Sequence, residues 1–139
     1  MLYNDKELAA LLSEVKTIAI IGAVDKPTRP VDGVAREMMS MGFEIIPVHP
    51  ARNDVWGLKT YKSVDQITEQ VDIVDLFRNG KFCPDHAREV LKMDPLPKFF
   101  WMQEGVFSPE AREILKDSGI MVIENRCLKV ELKRLGVSR

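Results

Sequence analysis

The stretch Thr17-Ile-Ala-Ile-Ile-Gly22-Ala-Val-Asp-Lys26-Pro-Thr-Arg29-Pro-Val-Asp-Gly33 runs from an apolar, β-branched segment through a short polar loop into the start of a helix. That order constrains the chain more than any other feature. A strand that is apolar on both faces needs helices on both sides of its sheet, which is the situation of a central strand in a parallel α/β fold. The loop has the makings of a phosphate cradle. Gly22 lets the backbone approach a ligand closely, the following helix turns its N-terminal N–H groups toward the loop, and Lys26 and Arg29 add positive charge. The glycines do not form Gly-x-Gly-x-x-Gly, because Ala23 and Val24 follow Gly22 and the next glycine is Gly33. No Gly-Lys-Ser/Thr follows the strand either, so NTP hydrolysis is not indicated. Taken alone, the segment also fits an ordinary strand-to-helix turn.

The remaining pattern alternates helix and strand without a linker, repeat or low-complexity tract, and 139 residues suit one domain, residues 1–139. Asn4 and Glu7 mark a first helix with Leu8, Leu11, Leu12 and Val15 on one face. Strand one, Thr17 to Ile21, is expected to be the most buried. Pro30 opens a helix with Val31, Val34, Ala35, Met38 and Met39 inward, closed by Gly42. Phe43 to Val48 reads as the second strand, Ser63 and Gln66 as a capping box for a short helix, and Val71 to Phe77 as the third strand. Pro84 begins a helix with Ala87, Val90 and Leu91 inward. Phe99 to Met102 is the fourth strand, Pro109 starts a helix ending near Gly119, Ile120 to Ile123 is the fifth strand, and Leu128 to Leu135 a closing helix. The fold class is α/β: a Rossmann-like, doubly wound, mostly parallel five-stranded sheet with helices on both faces.

In such a sheet ligands bind beyond the carboxyl ends of the strands. The residues there are polar: Gly22 to Arg29, His49 to Arg52, Arg78-Asn79, Gln103-Glu104-Gly105 and Asn125-Arg126-Cys127. A nicotinamide dinucleotide site places Asp or Glu at the end of the second strand to hold ribose hydroxyls, and here His49-Pro50 stands there. Arg52 follows, which suits a phosphorylated ribose, as in coenzyme A or NADP, if it is not simply solvated surface.

The formal net charge of −1 offers no basic field for nucleic acid and no polybasic anchor for a membrane. The N-terminus, from Met1 to Lys6, lacks a signal-peptide core, and no apolar run is long enough to span a bilayer, so a cytoplasmic protein is expected. Cys83 and Cys127 have neither metal-ligand nor disulfide-framework spacing and are expected to be reduced. Cys83, before Pro84, is read as helix-start geometry, a position that also favours a lowered thiol pKa.

The chain resembles the small stand-alone CoA-binding proteins, relatives of the N-terminal CoA-binding domain of the succinyl-CoA synthetase alpha subunit. The resemblance is carried by Ile21-Gly22-Ala23 with Lys26-Pro27 and Arg29, Val48-His49-Pro50, Gly57 to Tyr61 with Ser63-Val64, Val74 to Arg78, Trp101 to Gly105, and Asn125-Arg126-Cys127. It implies a coenzyme A or acyl-CoA cleft at the strand ends, with Gly22, Ala23 and Val24 along the diphosphate, Lys26 and Arg29 on phosphates, Pro50 beside the adenosine, and Arg78 facing the same crevice. Arg52, Gln103, Gly105, Asn125, Arg126 and Cys127 complete the candidate set. Val24 stands where the family commonly has Ser, which removes a hydroxyl from the phosphate, and His49 where it commonly has Asn.

The synthetase works through a phosphorylatable histidine in a further domain for which this chain has no room. His49 and His86 make poor substitutes, and no nucleophile, base and orienter stand at recognisable spacing, so a binding protein is expected rather than an enzyme. Two alternatives stay open: an NADP-linked oxidoreductase, and a protein-interaction module with a vestigial cleft. No metal is implied, no protein partner is identified, and a homodimer would form through a sheet edge or the terminal helices. Cys127, beside Arg126 after the fifth strand, is either a structural thiol or a residue that meets the pantetheine thiol and forms a mixed disulfide with it.

Overall fold

The apolar run Thr17–Ile21 forms strand β1, and a parallel neighbour binds each of its edges. The computed structural model describes residues 3–139; Met1 and Leu2 of the N-terminal segment lie outside the described residues. β2 (Glu44–Val48) pairs one edge of β1, while the other edge meets β5 (Ile73–Leu76), followed by β6 (Phe99–Met102) and β7 (Met121–Ile123). The order β2-β1-β5-β6-β7 is wholly parallel, and the direction of winding reverses between β1 and β5. The expected Rossmann-like α/β sheet is therefore present.

Helices cover both faces because strand residues alternate in direction. On one face α1 (Asp5–Leu12), α2 (Pro30–Ser40) and α5 (Leu128–Arg134) bury Leu8, Leu12, Val31, Ala35, Met38, Leu128 and Leu132 against Ile18, Ile20, Ile73, Phe99 and Trp101. On the other, α3 (Cys83–Val90) and α4 (Pro109–Leu115) bury Cys83, Ala87, Val90, Ala111 and Leu115 against Ala19, Ile21, Val74, Leu76, Phe100 and Met102. Each fully buried aliphatic side chain of this kind contributes about 1.5–3 kcal/mol, and truncating Trp101 or Phe99 to Ala costs about 3–5 kcal/mol.

The local signals act through identifiable bonds. Asn4 caps α1 by accepting from the Glu7 N–H at 2.8 Å, and Pro30 occupies the first turn of α2. Asp72 accepts from the N–H groups of Lys16 and Thr17 at 2.8 and 3.0 Å, fixing where β1 begins beside β5.

Four expectations need correction. β1 is not the most buried strand: every residue of β5 and β6 is fully buried, whereas Thr17 keeps 7% exposure. Leu91 does not point inward but is 40% exposed, because α3 ends at Val90 and the helical period ends with it. Ser63 and Gln66 form no capping box; Ser63 Oγ donates to Asp65 instead and Val64–Gln66 is a single 3₁₀ turn. The helix from Pro109 stops at Leu115, short of Gly119. An antiparallel hairpin of β3 (Asp54–Val55) and β4 (Leu58–Lys59), unexpected from the sequence, turns through Trp56 and Gly57. After it, Tyr61 bonds to the outer edge of β2, donating to Pro47 and accepting from His49. Among the described residues no helix is long and apolar enough to cross a membrane.

Candidate functional site

β1 and β5 deliver two loops to the point where the winding reverses, and Gly22 allows them to meet there. Its φ of +86° belongs to the left-handed region, and a Cβ at this position would run into the Phe77 carbonyl and the Arg78 side chain. A cleft of about 710 Å³ opens beside this junction. Gly22, Phe77 and Arg78 form its floor, Arg29, Val31 and Val34 of the first loop and α2 one wall, and Gln103, Cys127 and Lys129 the far end. The position agrees with the rule that open α/β sheets bind ligands at the switch point.

The electrostatics favour an anion on the α2 side. α2 begins at Pro30 without any side-chain cap; Pro30 has no N–H and the Asp32 N–H donates to the Arg29 carbonyl at 3.1 Å, which leaves the Val31 N–H open at the positive end of the helix dipole. Arg29 precedes that turn and Lys26 stands exposed in the same loop. Arg78 lies over the Phe82 ring, 4.1 Å from its centroid, which holds the guanidinium at the cleft.

Five of the candidate set converge on the cleft, Gly22, Arg29, Arg78, Gln103 and Cys127, and the strand-end residues Asn79 and Glu104 join them. The others take supporting or peripheral places. The N–H groups of Gly22 and Ala23 both donate to the Val48 carbonyl, at 3.2 and 3.3 Å, so these two residues brace the loop on β2; among the described residues the backbone N–H groups of Val24, Lys26 and Thr28 have no acceptor. Val24 packs against the core. Pro50 is exposed at the end of β2. Arg52 donates to both oxygens of Asp25, at 3.1 and 3.2 Å, and to the Asp54 carbonyl at 2.9 Å. Gly105 and Asn125 join each other, the Gly105 N–H donating to Asn125 Oδ1 at 2.7 Å. Arg126 supplies its carbonyl to Trp101 Nε1 at 2.8 Å while its guanidinium lies 3.8 Å from Glu131. Phe77, Val106, Lys129 and Val130 line the cleft without having been expected. Only Phe77, which directly follows β5, stands where strand-end position could have pointed to it; Val106 lies further along the loop after β6, and Lys129 and Val130 lie within α5.

The first loop is clasped from outside. Asp25 also accepts from the Trp56 N–H at 3.4 Å, and Trp56 Nε1 donates to the buried Asp32 of α2 at 2.8 Å. Arg52 thus holds the Asp25 carboxyl below its usual range, and the hairpin fixes loop and helix together. His49 Nδ1 accepts from the Ala51 N–H at 3.0 Å, and burial together with Arg52 and Arg78 keeps its imidazole below the usual value. His86 pairs with Glu89 on α3, on the sheet face that α3 and α4 cover, and does not line the cleft. Cys83 does not gain acidity from its helix-start position; burial pushes its thiol up to about 11. Among the described residues no group of His, Cys, Asp or Glu side chains could hold a metal ion.

Comparison with known proteins identifies the family and the fold. Residues 16–133 match the family model described as CoA binding domain. The uncharacterised protein YneT of Bacillus subtilis (strain 168) is 37% identical over 124 residues, covering 89% of this chain and 90% of its own. The structure of the Thermus thermophilus protein cell-free ID.343 superposes with a TM-score of 0.89 at 41% identity, over 96% of this chain and 99% of that one. The dinucleotide-forming acetyl-coenzyme A synthetase 1 of Ca. Korarchaeum cryptofilum shares the fold, with a TM-score of 0.69 at 22% identity over 83% of this chain and 26% of its own.

Proposed function

Because the chain belongs to the CoA binding domain family, we propose that it binds coenzyme A, free or acylated, in the cleft at the carboxyl ends of β1, β5 and β6. The observation that carries this reading is the uncapped start of α2 facing a cleft lined by Gly22, Arg29 and Arg78. The diphosphate would lie at that helix start, on the N–H groups that have no partner and the charges of Lys26 and Arg29. Pro50 and His49 would flank the adenosine. Arg52, already bridging Asp25, keeps further N–H groups for a ribose phosphate. The pantetheine arm would cross Phe77 and Arg78 toward Gln103 and Cys127.

The protein acts as a binding module on this reading. The Nδ1 lone pair of His49 is committed to the Ala51 N–H and His86 is away from the cleft, so neither is placed to act as a base on the ligand. Cys127, half-buried in the cleft, is positioned for exchange with CoA disulfide: its thiolate attacks one sulfur, a mixed disulfide forms, and one CoA thiolate leaves. Mass spectrometry after incubation with CoA disulfide should show one CoA adduct that is lost in Cys127→Ser, and a protein without the adduct contradicts the exchange.

Calorimetry on ligand-stripped protein, with dephospho-CoA and NADP as comparators, tests the binding. Tight CoA binding with weaker binding of dephospho-CoA is expected. Absence of CoA binding, or stronger binding of NADP, overturns the reading.

A further inference from the structure

Gln103 is the first residue after β6, and every part of it but one is committed. Its N–H donates to the Leu76 carbonyl at 3.3 Å and its own carbonyl accepts from Val106 at 2.9 Å, so the backbone is fixed between β5 and the following turn. Its side chain is 5% exposed, and Oε1 accepts from the Leu128 N–H at the start of α5 at 3.0 Å. A backbone N–H can only donate, so the orientation of the amide is settled: oxygen toward Leu128, nitrogen away from it. No acceptor among the described residues reaches Nε2. That atom is not sealed in either, since the occluded side-chain atoms without partners belong to Asp75 and His86, and Gln103 lines the cleft. A buried amide with two unused donors thus opens into the cleft, among Phe77, Val31, Val34 and Val106.

An unmet donor in such surroundings is costly once a ligand excludes water, so the ligand must bring an acceptor there. With the diphosphate at the α2 start, Gln103 lies two strand spacings from β1, about 10 Å across the sheet. At that distance the phosphates are behind and the arm is in front. The arm's uncharged acceptors are carbonyl oxygens, those of its amides and, in acylated forms, that of the thioester. We propose that Gln103 is the specificity-determining donor for a carbonyl oxygen of the ligand's arm, oriented for it by the Leu128 N–H. This rests on the coenzyme A reading above and adds which end of the ligand is recognised and by what chemistry.

The test uses two variants and three ligands. Gln103→Glu keeps an acceptor for Leu128 but presents no donor; Gln103→Met keeps the length and removes both, so the pair separates ligand contact from folding. CoA, acetyl-CoA and 3′-phospho-ADP, which has the nucleotide and diphosphate but no arm, are titrated by calorimetry, with thermal melts to confirm that each variant is folded. Both variants should bind CoA or acetyl-CoA at least about tenfold more weakly and 3′-phospho-ADP within about twofold of the unaltered protein. A loss for both CoA forms assigns the contact to an arm amide, and a loss for acetyl-CoA alone assigns it to the thioester. Unchanged affinity for both, or an equal loss for 3′-phospho-ADP, overturns the role of Gln103 while leaving the coenzyme A reading in place. Failure of the unaltered protein to bind any of the three overturns both.

Discussion

The two ends of the cleft differ in how firmly the protein braces the groups around them. At the β1 end the scaffold is braced, with Gly22 and Ala23 on Val48, Asp25 on Arg52 and Trp56, and Asp32 on Trp56 and Arg36, while the N–H groups of Val24, Lys26 and Thr28 have no acceptor among the described residues. At the β6 and α5 end Gln103 keeps a free amide nitrogen, Cys127 is half-buried without a partner residue in a disulfide, and Val130 is 50% exposed. The contrast teaches a division of labour. A charged, strongly hydrated group such as a diphosphate is bound well only by donors already in place, since reorganising them would consume the binding energy. On the proposed coenzyme A reading, the rigid end would supply affinity and the open end would meet the part of the ligand whose chemistry varies.

The comparison breaks most readily at the charged loop. Lys26→Ala combined with Arg29→Ala should weaken CoA by on the order of 2–4 kcal/mol while leaving the melting temperature nearly unchanged, because both side chains are exposed. Unchanged affinity in calorimetry would mean the diphosphate lies elsewhere. Gly22→Ala attacks the same end from below: the φ of +86° and the Phe77 carbonyl together should cost about 1–3 kcal/mol of stability in urea denaturation. A neutral substitution would show that the β1 and β5 loops are not held in this contact.

Arg52→Ala sharpens the contrast instead of breaking it. If the guanidinium only restrains Asp25, CoA and dephospho-CoA should weaken by the same factor; contact with the ribose phosphate makes the loss for CoA about tenfold larger. Competition titrations with the two ligands read the ratio directly, and the larger loss for CoA is the expected result.

The smallest effect concerns β5, the strand between the two ends. Asp75 stands in β5 between Ile20 and Trp101, fully buried, and neither carboxyl oxygen has a hydrogen-bond partner among the described residues. Burial holds its carboxyl protonated well above the usual carboxylate range. The folded state thus keeps a proton that the unfolded chain releases in that range, and stability falls as pH rises beyond it toward the raised value. Asp75→Asn cannot ionise, so its melting curve from about pH 5 to 9 should be flatter, and at the alkaline end about 4 °C above the unaltered protein. Superimposable pH profiles would contradict the neutral carboxyl.

Much of the fold was legible because its signals are local. Continuous apolar runs gave the five parallel strands, and Pro30, Pro109 and the Asn4 cap gave helix starts. The hairpin was not, since strands of two residues carry no alternation and its turn pairs Gly57 with Trp56, a bulky residue whose left-handed φ of 56° nothing in its type announces. Leu91 misled because a helical stripe does not say where the helix stops. At the site, position after a strand identified Gly22, Arg78, Gln103 and Cys127, which the sheet order then brought together. The pairing of Arg52 with Asp25, and the orientation of the Gln103 amide by Leu128, join residues distant in the chain and depend on the tertiary structure alone.

Titration of ¹⁵N-labelled protein with CoA, followed through amide chemical shifts, tests the placement of the ligand most directly. The backbone signals of Val24, Lys26, Thr28 and Val31 and the side-chain NH₂ of Gln103 should move together, while Lys16, Asp72 and Lys98 at the opposite ends of the strands stay still. Shifts confined to that opposite end, or movement at the α2 start without any at Gln103, would contradict a ligand lying across the cleft from one end to the other.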